Sequence, residues 1–126
     1  MSTTLRQLLR PARDVVSVTS SHTLMQAFQR MREHAVSQLP VIEGGKVSGL
    51  IDESDILLHV YADPARFADT VNAAMVRKLD SLDIDAPIDA LLPLFERGHI
   101  ALVAADGQFS GLVTRSDLLA WLAAQG

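Results

Sequence analysis

The chain has 126 residues, of which 48% are hydrophobic, and a formal net charge of −4. Such a length suits one compact domain, which folds without metals or disulfide staples. Cysteine is absent, so disulfides, thiolate zinc sites and cysteine nucleophiles are excluded. The acidity argues against nonspecific nucleic-acid binding, and no apolar run approaches the about 20 residues that span a bilayer. Residues 1–10 lack the apolar region of a secretory signal, so we expect a cytoplasmic protein.

The first half of the chain predicts a strand, a helix, a hairpin and a second helix. Residues 15–18 form a short apolar segment that favours a strand. Apolar side chains recur at helical spacing in residues 24–31. Two apolar runs then flank Gly44-Gly45, which predicts a two-residue hairpin turn. The closing helix is predicted at residues 56–60, again from its apolar spacing.

The second half repeats this order because the sequence is duplicated. Residues 49–58 align with residues 111–120, with Gly, Leu, Ser and Asp identical in place. Further upstream, residues 5–9 align with residues 71–75, and both segments predict short helices. A duplication of this kind decides the fold, since each copy is one structural unit.

Pro93 conflicts with the apolar periodicity of the helix that precedes the second hairpin. A proline inside a helix costs about 3 kcal/mol, because it removes a hydrogen bond and clashes with the preceding turn. The helix therefore either starts late or kinks, and we expect a kink near Asp89.

The duplicated unit resembles a tandem pair of CBS domains, also called a Bateman module. The resemblance covers nearly the whole chain and is most specific at residues 49–55, 111–117 and 37–41. The sequence of residues 36–60 and 97–103 is most similar to the C-terminal regulatory region of bacterial cystathionine β-synthases. The implied fold class is α+β, with two repeated β-α-β-β-α units packed about a pseudo-twofold axis.

The repeats also set the expected domain boundaries. A first CBS repeat with an N-terminal helix spans residues 1–62, a linker spans 63–69, and the second repeat spans 70–126. No pyridoxal-phosphate lysine motif occurs, so we expect no enzyme in this chain and a catalytic domain that is attached or associated. Family members commonly pair through helices such as the one carrying Trp121 and Leu122, which implies a homodimer.

The resemblance further implies a cleft between the repeats that binds an adenosyl effector such as AMP, ATP or S-adenosylmethionine. The motif's terminal Asp and its Thr or Ser would meet the ribose hydroxyls, since a carboxylate accepts from two vicinal hydroxyls. Backbone groups of the strand after the first helix would meet adenine. The implied ligand-binding residues are Thr114, Asp117, Arg115, Ile100, Ala101, Asp55, Leu39 and Pro40.

The first motif departs from the family pattern, because Asp52 stands where the family has Thr or Ser. Together with Glu53 and Asp55 it forms an acidic cluster, and like charges 4 Å apart repel by about 4 kcal/mol in a surface-like dielectric. We therefore expect AMP or ATP at the second motif, where Arg115 balances phosphate. The first motif is expected to be empty or to take an uncharged or cationic group.

S-adenosylmethionine suits an acidic site through its sulfonium cation. However, Val36 and Ser37 stand where, as the resemblance implies, responsive members carry an aromatic and an acidic residue. Histidines lack the spacing of metal ligands, so we expect no metal site and no required cofactor. Of the four histidines, His99 lies nearest the predicted cleft, and an edge role is favoured over a contact.

A plainer interpretation of both motifs is helix capping. Thr114-x-x-Asp117 and Asp52-x-x-Asp55 fit capping boxes, and a group that caps a helix start can also face a ligand. The leading hypothesis is thus a regulatory ligand-binding module. The alternative is a structural dimerisation module with degenerate clefts. An independent enzyme is disfavoured, because no nucleophile–base pair or phosphate-binding glycine loop occurs, and we expect neither nucleic-acid nor membrane partners.

Overall fold

The computed structural model describes residues 3–77, 79–98 and 100–126. Helices and strands alternate with short 3-10 turns along these residues. The elements are β1 Arg10–Pro11, α1 Leu24–His34, β2 Gln38–Glu43, β3 Lys46–Asp52, α2 Glu53–Val60, β4 Ser81–Asp83, α3 Leu91–Glu96, β5 Ala101–Ala105, β6 Gln108–Val113 and α4 Arg115–Gln125. The α+β fold class is confirmed. No helix in the described part of the chain is long and apolar enough to cross a membrane.

The chain forms two compact units that do not follow the sequence repeats. One unit is Val16–Leu79, and the other joins Met1–Val15 to Asp80–Gly126. The repeat boundaries assign the N-terminal segment to the first repeat, but the segment packs with the second. The repeat boundaries at 1–62, 63–69 and 70–126 stay a prediction about sequence units rather than about compact units.

Backbone hydrogen bonds explain why the N-terminal segment packs with the second repeat. The amide of Leu5 donates to the carbonyl of Ala86 at 3.0 Å, and that of Arg6 donates to Ile84 at 3.0 Å. Leu5 is fully buried in the core of that unit. Because backbone groups that are buried away from water need hydrogen-bond partners, the segment is held by pairing as well as by apolar burial.

The same arrangement occurs in the unit Val16–Leu79. Leu50 and Val76 exchange backbone hydrogen bonds of 2.9 and 2.8 Å. The predicted short helices at residues 5–9 and 71–75 are 3-10 turns, at Leu5–Gln7 and Val71–Ala73. The hairpin of each repeat therefore pairs with the segment that opens the other repeat.

The hairpin of the unit Val16–Leu79 has the predicted turn. Strands β2 and β3 pair antiparallel, with Glu43 opposite Lys46. Gly44 and Gly45 both have positive φ, at 58° and 78°, which the type I′ turn of a two-residue hairpin requires. The equivalent turn of the other unit, at Asp106 and Gly107, has φ of 51° and 76°.

Residues 15–18 do not form the predicted strand. Val18 makes a single parallel bridge with Val41, donating to Pro40 at 3.1 Å and accepting from Ile42 at 2.8 Å. The apolar run is real, because Val18 is buried, but it supplies one core side chain rather than a ladder.

Helix α1 covers the hairpin with its apolar face. Thr23 caps the helix by accepting from the amide of Gln26 at 3.1 Å, and the helix ends at Ala35, whose φ is 52°. The core around it contains Val18, Leu24, Ala27, Met31, Leu39, Val41, Ile51, Ile56, Val60 and Val71. Within the predicted linker, residues Pro64–Ala68 form a 3-10 turn whose Phe67 ring lies 6.1 Å from that of Phe28.

The other unit is built on a four-stranded sheet of order β1-β6-β5-β4. Strands β5 and β6 form the second hairpin, β4 runs parallel to β5, and β1 pairs antiparallel with β6. The buried core of this unit contains Leu5, Leu8, Ile84, Leu91, Leu94, Ala101, Val103, Val113 and Leu118.

The expected kink near Asp89 is not what resolves the proline conflict. Residues Ile88–Ala90 form a 3-10 turn, and helix α3 begins late, at Leu91. Pro93 therefore lies in the first turn of α3, where its missing N–H is among the groups that lack an intrahelical partner.

Gly111 allows the N-terminal segment to reach the sheet. Its φ is 151°, and a Cβ at this position would lie 2.0 Å from the carbonyl oxygen of Arg10. Gly107 also has positive φ, but a Cβ there would meet open space.

We expect Gly111→Ala to lower the free energy of unfolding by about 3 kcal/mol or more, because β1 must leave β6. Gly107→Ala should cost only the backbone strain of about 1–2 kcal/mol. Urea unfolding followed by circular dichroism measures both changes. Equal losses in the two variants would contradict the close approach at Gly111.

Candidate functional site

Thr114 and Asp117 form a reciprocal capping box at the start of α4. The amide of Asp117 donates to Oγ1 of Thr114 at 3.2 Å, and the amide of Thr114 donates to Oδ2 of Asp117 at 2.8 Å. These bonds satisfy two backbone donors at the helix start. They also fix both side chains at the carboxyl end of β6, with the Asp117 side chain 18% exposed.

Two arginines flank this box. Nη2 of Arg10 lies 3.2 Å from Oδ1 of Asp117, so both carboxylate oxygens have partners. The guanidinium of Arg115 lies beside Gly98, 3.8 Å from where a Cβ of that glycine would stand. The box therefore combines the carboxylate of Asp117 with the guanidinium of Arg10, while Arg115 follows Thr114 in the chain and directs its guanidinium toward Gly98.

The start of β5 lies next to the same box. Ala101 is paired with Val113, the residue before Thr114, and Ile100 directly precedes the strand. Ala101 is fully buried, whereas Ile100 is half-buried, so Ile100 is the more accessible of the two positions. The structure thus places Ile100, Ala101 and Thr114 at one end of the β5–β6 pair, while His99 lies outside the described residues.

Asp52 and Asp55 form the equivalent box at the start of α2. The amide of Asp55 donates to Oδ1 of Asp52 at 2.8 Å, and the amide of Asp52 donates to Oδ2 of Asp55 at 3.0 Å. Burial raises the pKa of Asp55, and the neighbouring charge of Asp52 adds to the rise. Within the described residues no arginine or lysine is ion-paired with either carboxylate.

Leu39 and Pro40 offer little to a ligand. Leu39 lies opposite Ile51 with its side chain fully buried in the core. Pro40 is buried, has no N–H group, and its carbonyl oxygen accepts from the amide of Val18 at 3.1 Å. Of the four predicted adenine contacts, Leu39, Pro40 and Ala101 are buried, and Ile100 is half-buried.

An open cavity of about 310 Å³ adjoins the box of α2. Val36 and Ser37 line it, together with Glu53 at the start of that helix. Helix α1 contributes Phe28 and Arg32, whose guanidinium lies 5.7 Å from the centre of the Phe28 ring. Among the described residues, no cluster of three or more His, Asp or Glu side chains could hold a metal ion.

Arg10 is the site residue that the sequence analysis missed. It is 107 positions from Asp117 in the chain, so no local motif connects them. The alignment of residues 5–9 with 71–75 continues one step further to Arg10 and Val76, and both of these residues pair with equivalent leucines, Leu112 and Leu50. That continuation was the available signal.

Comparison with known proteins identifies relatives that carry the same repeat. A cystathionine beta-synthase of Dictyostelium discoideum is 28% identical over 125 residues, covering 94% of this chain and 25% of that protein. An inosine-5'-monophosphate dehydrogenase of Korarchaeum cryptofilum is 25% identical over 116 residues, covering 84% of this chain and 22% of that protein. The chain thus spans about a quarter of the length of these curated relatives.

The fold is also found among solved structures. The CBS domain pair of protein MJ0100, in complex with 5'-methylthioadenosine and S-adenosyl-L-methionine, superimposes with a TM-score of 0.79 at 21% identity. That superposition covers 100% of both chains. The family model of the CBS domain matches twice, at residues 5–62 and 71–124. The chain therefore belongs to the CBS domain family and carries two CBS domains in tandem.

Proposed function

We propose that this chain is a non-catalytic, cytoplasmic regulatory module whose Thr114–Asp117 box binds an adenosyl ligand. The observation that carries the proposal is the box itself, whose carboxylate is paired with Arg10 and which lies next to the start of β5. Binding of such a ligand would bias an attached or associated enzyme, provided that the ligand has different affinities for two arrangements of the module.

The chemistry of the box suits a ribose. A carboxylate oxygen has two lone pairs, so Asp117 can accept from a ribose hydroxyl while it keeps the amide of Thr114. The hydroxyl of Thr114 accepts one amide proton and still has its own proton to donate. The half-buried backbone segment at Ile100, next to the fully buried Ala101, would meet the edge of a base.

The flanking charges favour a phosphate-bearing ligand at this box. Arg10 and Arg115 together outweigh the single carboxylate of Asp117, and guanidinium groups bind phosphate oxygens well. At the box of Asp52 and Asp55, no arginine or lysine among the described residues is ion-paired with a carboxylate, and Arg32 lies in the adjoining cavity together with Glu53. We therefore regard this box as less suited to phosphate. AMP, ADP and ATP are therefore the ligands that we assign to the second motif, with S-adenosylmethionine as the competing effector.

The adenosyl class is supported by a relative, since the protein MJ0100 pair binds two adenosyl compounds. We propose that the regulated enzyme is a cystathionine β-synthase, because one of the relatives is an enzyme of this kind. A dehydrogenase is matched at similar identity, so the choice of enzyme rests on the resemblance of residues 36–60 and 97–103.

A homodimer is part of the proposal. Leu58 on α2 and Tyr61, which directly follows that helix, are more than four-fifths exposed, at 81% and 83%. On α4, Leu119 and Leu122 are exposed as well. Large apolar side chains gathered on a helix surface are typical of an interface, and the equivalent helices of both repeats carry them.

The second candidate function is a structural dimerisation module without a ligand. The reciprocal hydrogen bonds of both boxes favour it, because capping alone accounts for Asp52, Asp55, Thr114 and Asp117. Capping does not account for the unequal charges around the two boxes, and this difference favours the regulatory function.

A titration separates the two candidates. We expect AMP or ATP to raise the unfolding midpoint saturably, reaching about 2.7 kcal/mol of stabilisation at a hundredfold excess over Kd. Asp117→Asn keeps a capping oxygen but loses the charge, so it should weaken binding roughly tenfold or more. Asp55→Asn is the matched control and should leave the affinity within about twofold.

Calorimetry with AMP, ADP, ATP and S-adenosylmethionine measures these affinities. No binding by the unmodified protein across the panel would favour the structural module. Equal losses in Asp117→Asn and Asp55→Asn would show that the second motif is not the preferred site.

The dimer has its own test. The double variant Leu58→Glu, Tyr61→Glu places two charges on the apolar surface of α2 and should halve the mass measured by light scattering. Ala65→Glu, in the exposed turn at Pro64–Ala68, is the control and should leave the mass unchanged. A monomeric unmodified protein, or a dimer in both variants, would contradict the proposed interface.

A further inference from the structure

The backbone of Arg10 is held firmly beside the Thr114–Asp117 box. Arg10 and Pro11 form β1 and pair with Leu112 and Gly111 of β6. The absent side chain of Gly111 lets the Arg10 carbonyl lie within 2.0 Å of where a Cβ would stand. The position of Arg10 is therefore set by the sheet and does not depend on its side chain.

The side chain of Arg10 reaches the carboxylate that the proposed function assigns to ribose. Its Nη2 contacts Oδ1 of Asp117, while the other oxygen, Oδ2, is held by the amide of Thr114. The side chain of Arg10 is 44% exposed. Its Nε and Nη1 have no hydrogen-bond acceptor among the described residues, so donors remain available to a ligand.

Such an ion pair is not required by the fold. Pairs between partly exposed side chains contribute little to stability, since water and salt screen them. The β1–β6 pairing already holds the N-terminal segment, and Arg6 makes a similar exposed pair with Asp85 at 3.1 Å. The contact between Arg10 and Asp117 differs from the Arg6 pair in its position, because it involves a carboxylate of the capping box.

The residue equivalent to Arg10 in the other unit is uncharged. Val76 occupies the position equivalent to Arg10, beside Leu50 instead of Leu112. The carboxylate equivalent to Asp117 is Asp55, which has no paired arginine or lysine among the described residues. The two boxes are therefore alike in hydrogen bonding, but among the described residues only the carboxylate of Asp117 is paired with an arginine, which is Arg10.

We propose that Arg10 is the specificity-determining residue of the Thr114–Asp117 box, selecting adenosyl ligands that carry phosphate. This inference rests on the proposed function and adds a discriminating group to it. Arg10 compensates the charge of Asp117, so that an anion is not repelled, and its free N–H groups donate to the phosphate. A neutral adenosine gains little from either effect, and a cationic ligand is opposed by Arg10 and Arg115.

The test compares AMP with adenosine, which differ only in the phosphate. The unmodified protein should bind AMP more tightly. In Arg10→Gln, AMP should bind roughly tenfold more weakly, as expected for loss of a charge-assisted hydrogen bond, while adenosine changes by less than about twofold. Arg10→Lys keeps the charge and should retain part of the preference.

Arg6→Gln is the matched control, because it removes an ion pair from the same N-terminal segment without touching Asp117. It should leave both affinities unchanged. Calorimetry measures the four proteins with both ligands, and their circular dichroism spectra verify folding. A smaller preference for AMP at high salt would agree with an electrostatic origin.

The outcomes separate this inference from the proposed function. If the unmodified protein binds AMP and Arg10→Gln weakens AMP and adenosine equally, or neither, Arg10 is not the specificity residue and the proposed function stands. If Arg6→Gln has the same effect as Arg10→Gln, the effect is structural and the inference is wrong. If no adenosyl compound binds, both proposals fail together.

Discussion

The structure depends on the pairing of each hairpin with a segment from outside its own repeat. Val76 bonds to Leu50 and Arg10 lies opposite Leu112, and the glycines at 49 and 111 make these approaches possible. A Cβ on either glycine would come within 2.7 Å or less of a backbone oxygen. The hairpin of each repeat therefore needs the opening segment of the other repeat. A unit of about 60 residues is marginally stable by itself, so this exchange explains why the two copies depend on each other.

This pairing also places the groups that distinguish the two boxes. Both helices that follow the hairpins begin with the same reciprocal cap. Because the neighbouring segments differ, the carboxylate of Asp117 is paired with a guanidinium, whereas Asp55 has burial and the charge of Asp52, which raise its pKa. A duplicated motif can thus carry one structural role twice and a ligand-binding role once.

Much of the local structure is predictable from apolar periodicity and turn chemistry. The hairpin at Gly44-Gly45, helix α1 and the two capping boxes follow local rules, and local rules act within a few residues. The wrong or missing predictions have two causes. Residues 15–18, Arg10 and the N-terminal segment depend on partners far along the chain. Pro93 acts locally, by moving the start of a helix that apolar spacing places about one turn too early.

The central claim is that an adenosyl ligand binds at the second motif and not at the first. The most direct measurement follows the backbone amide resonances by NMR while AMP is added. The account predicts saturable shifts at Thr114–Asp117 and at Ile100 and Ala101, with Asp52–Asp55 unchanged. Shifts confined to Asp52–Asp55, or no shifts at millimolar AMP, would contradict it.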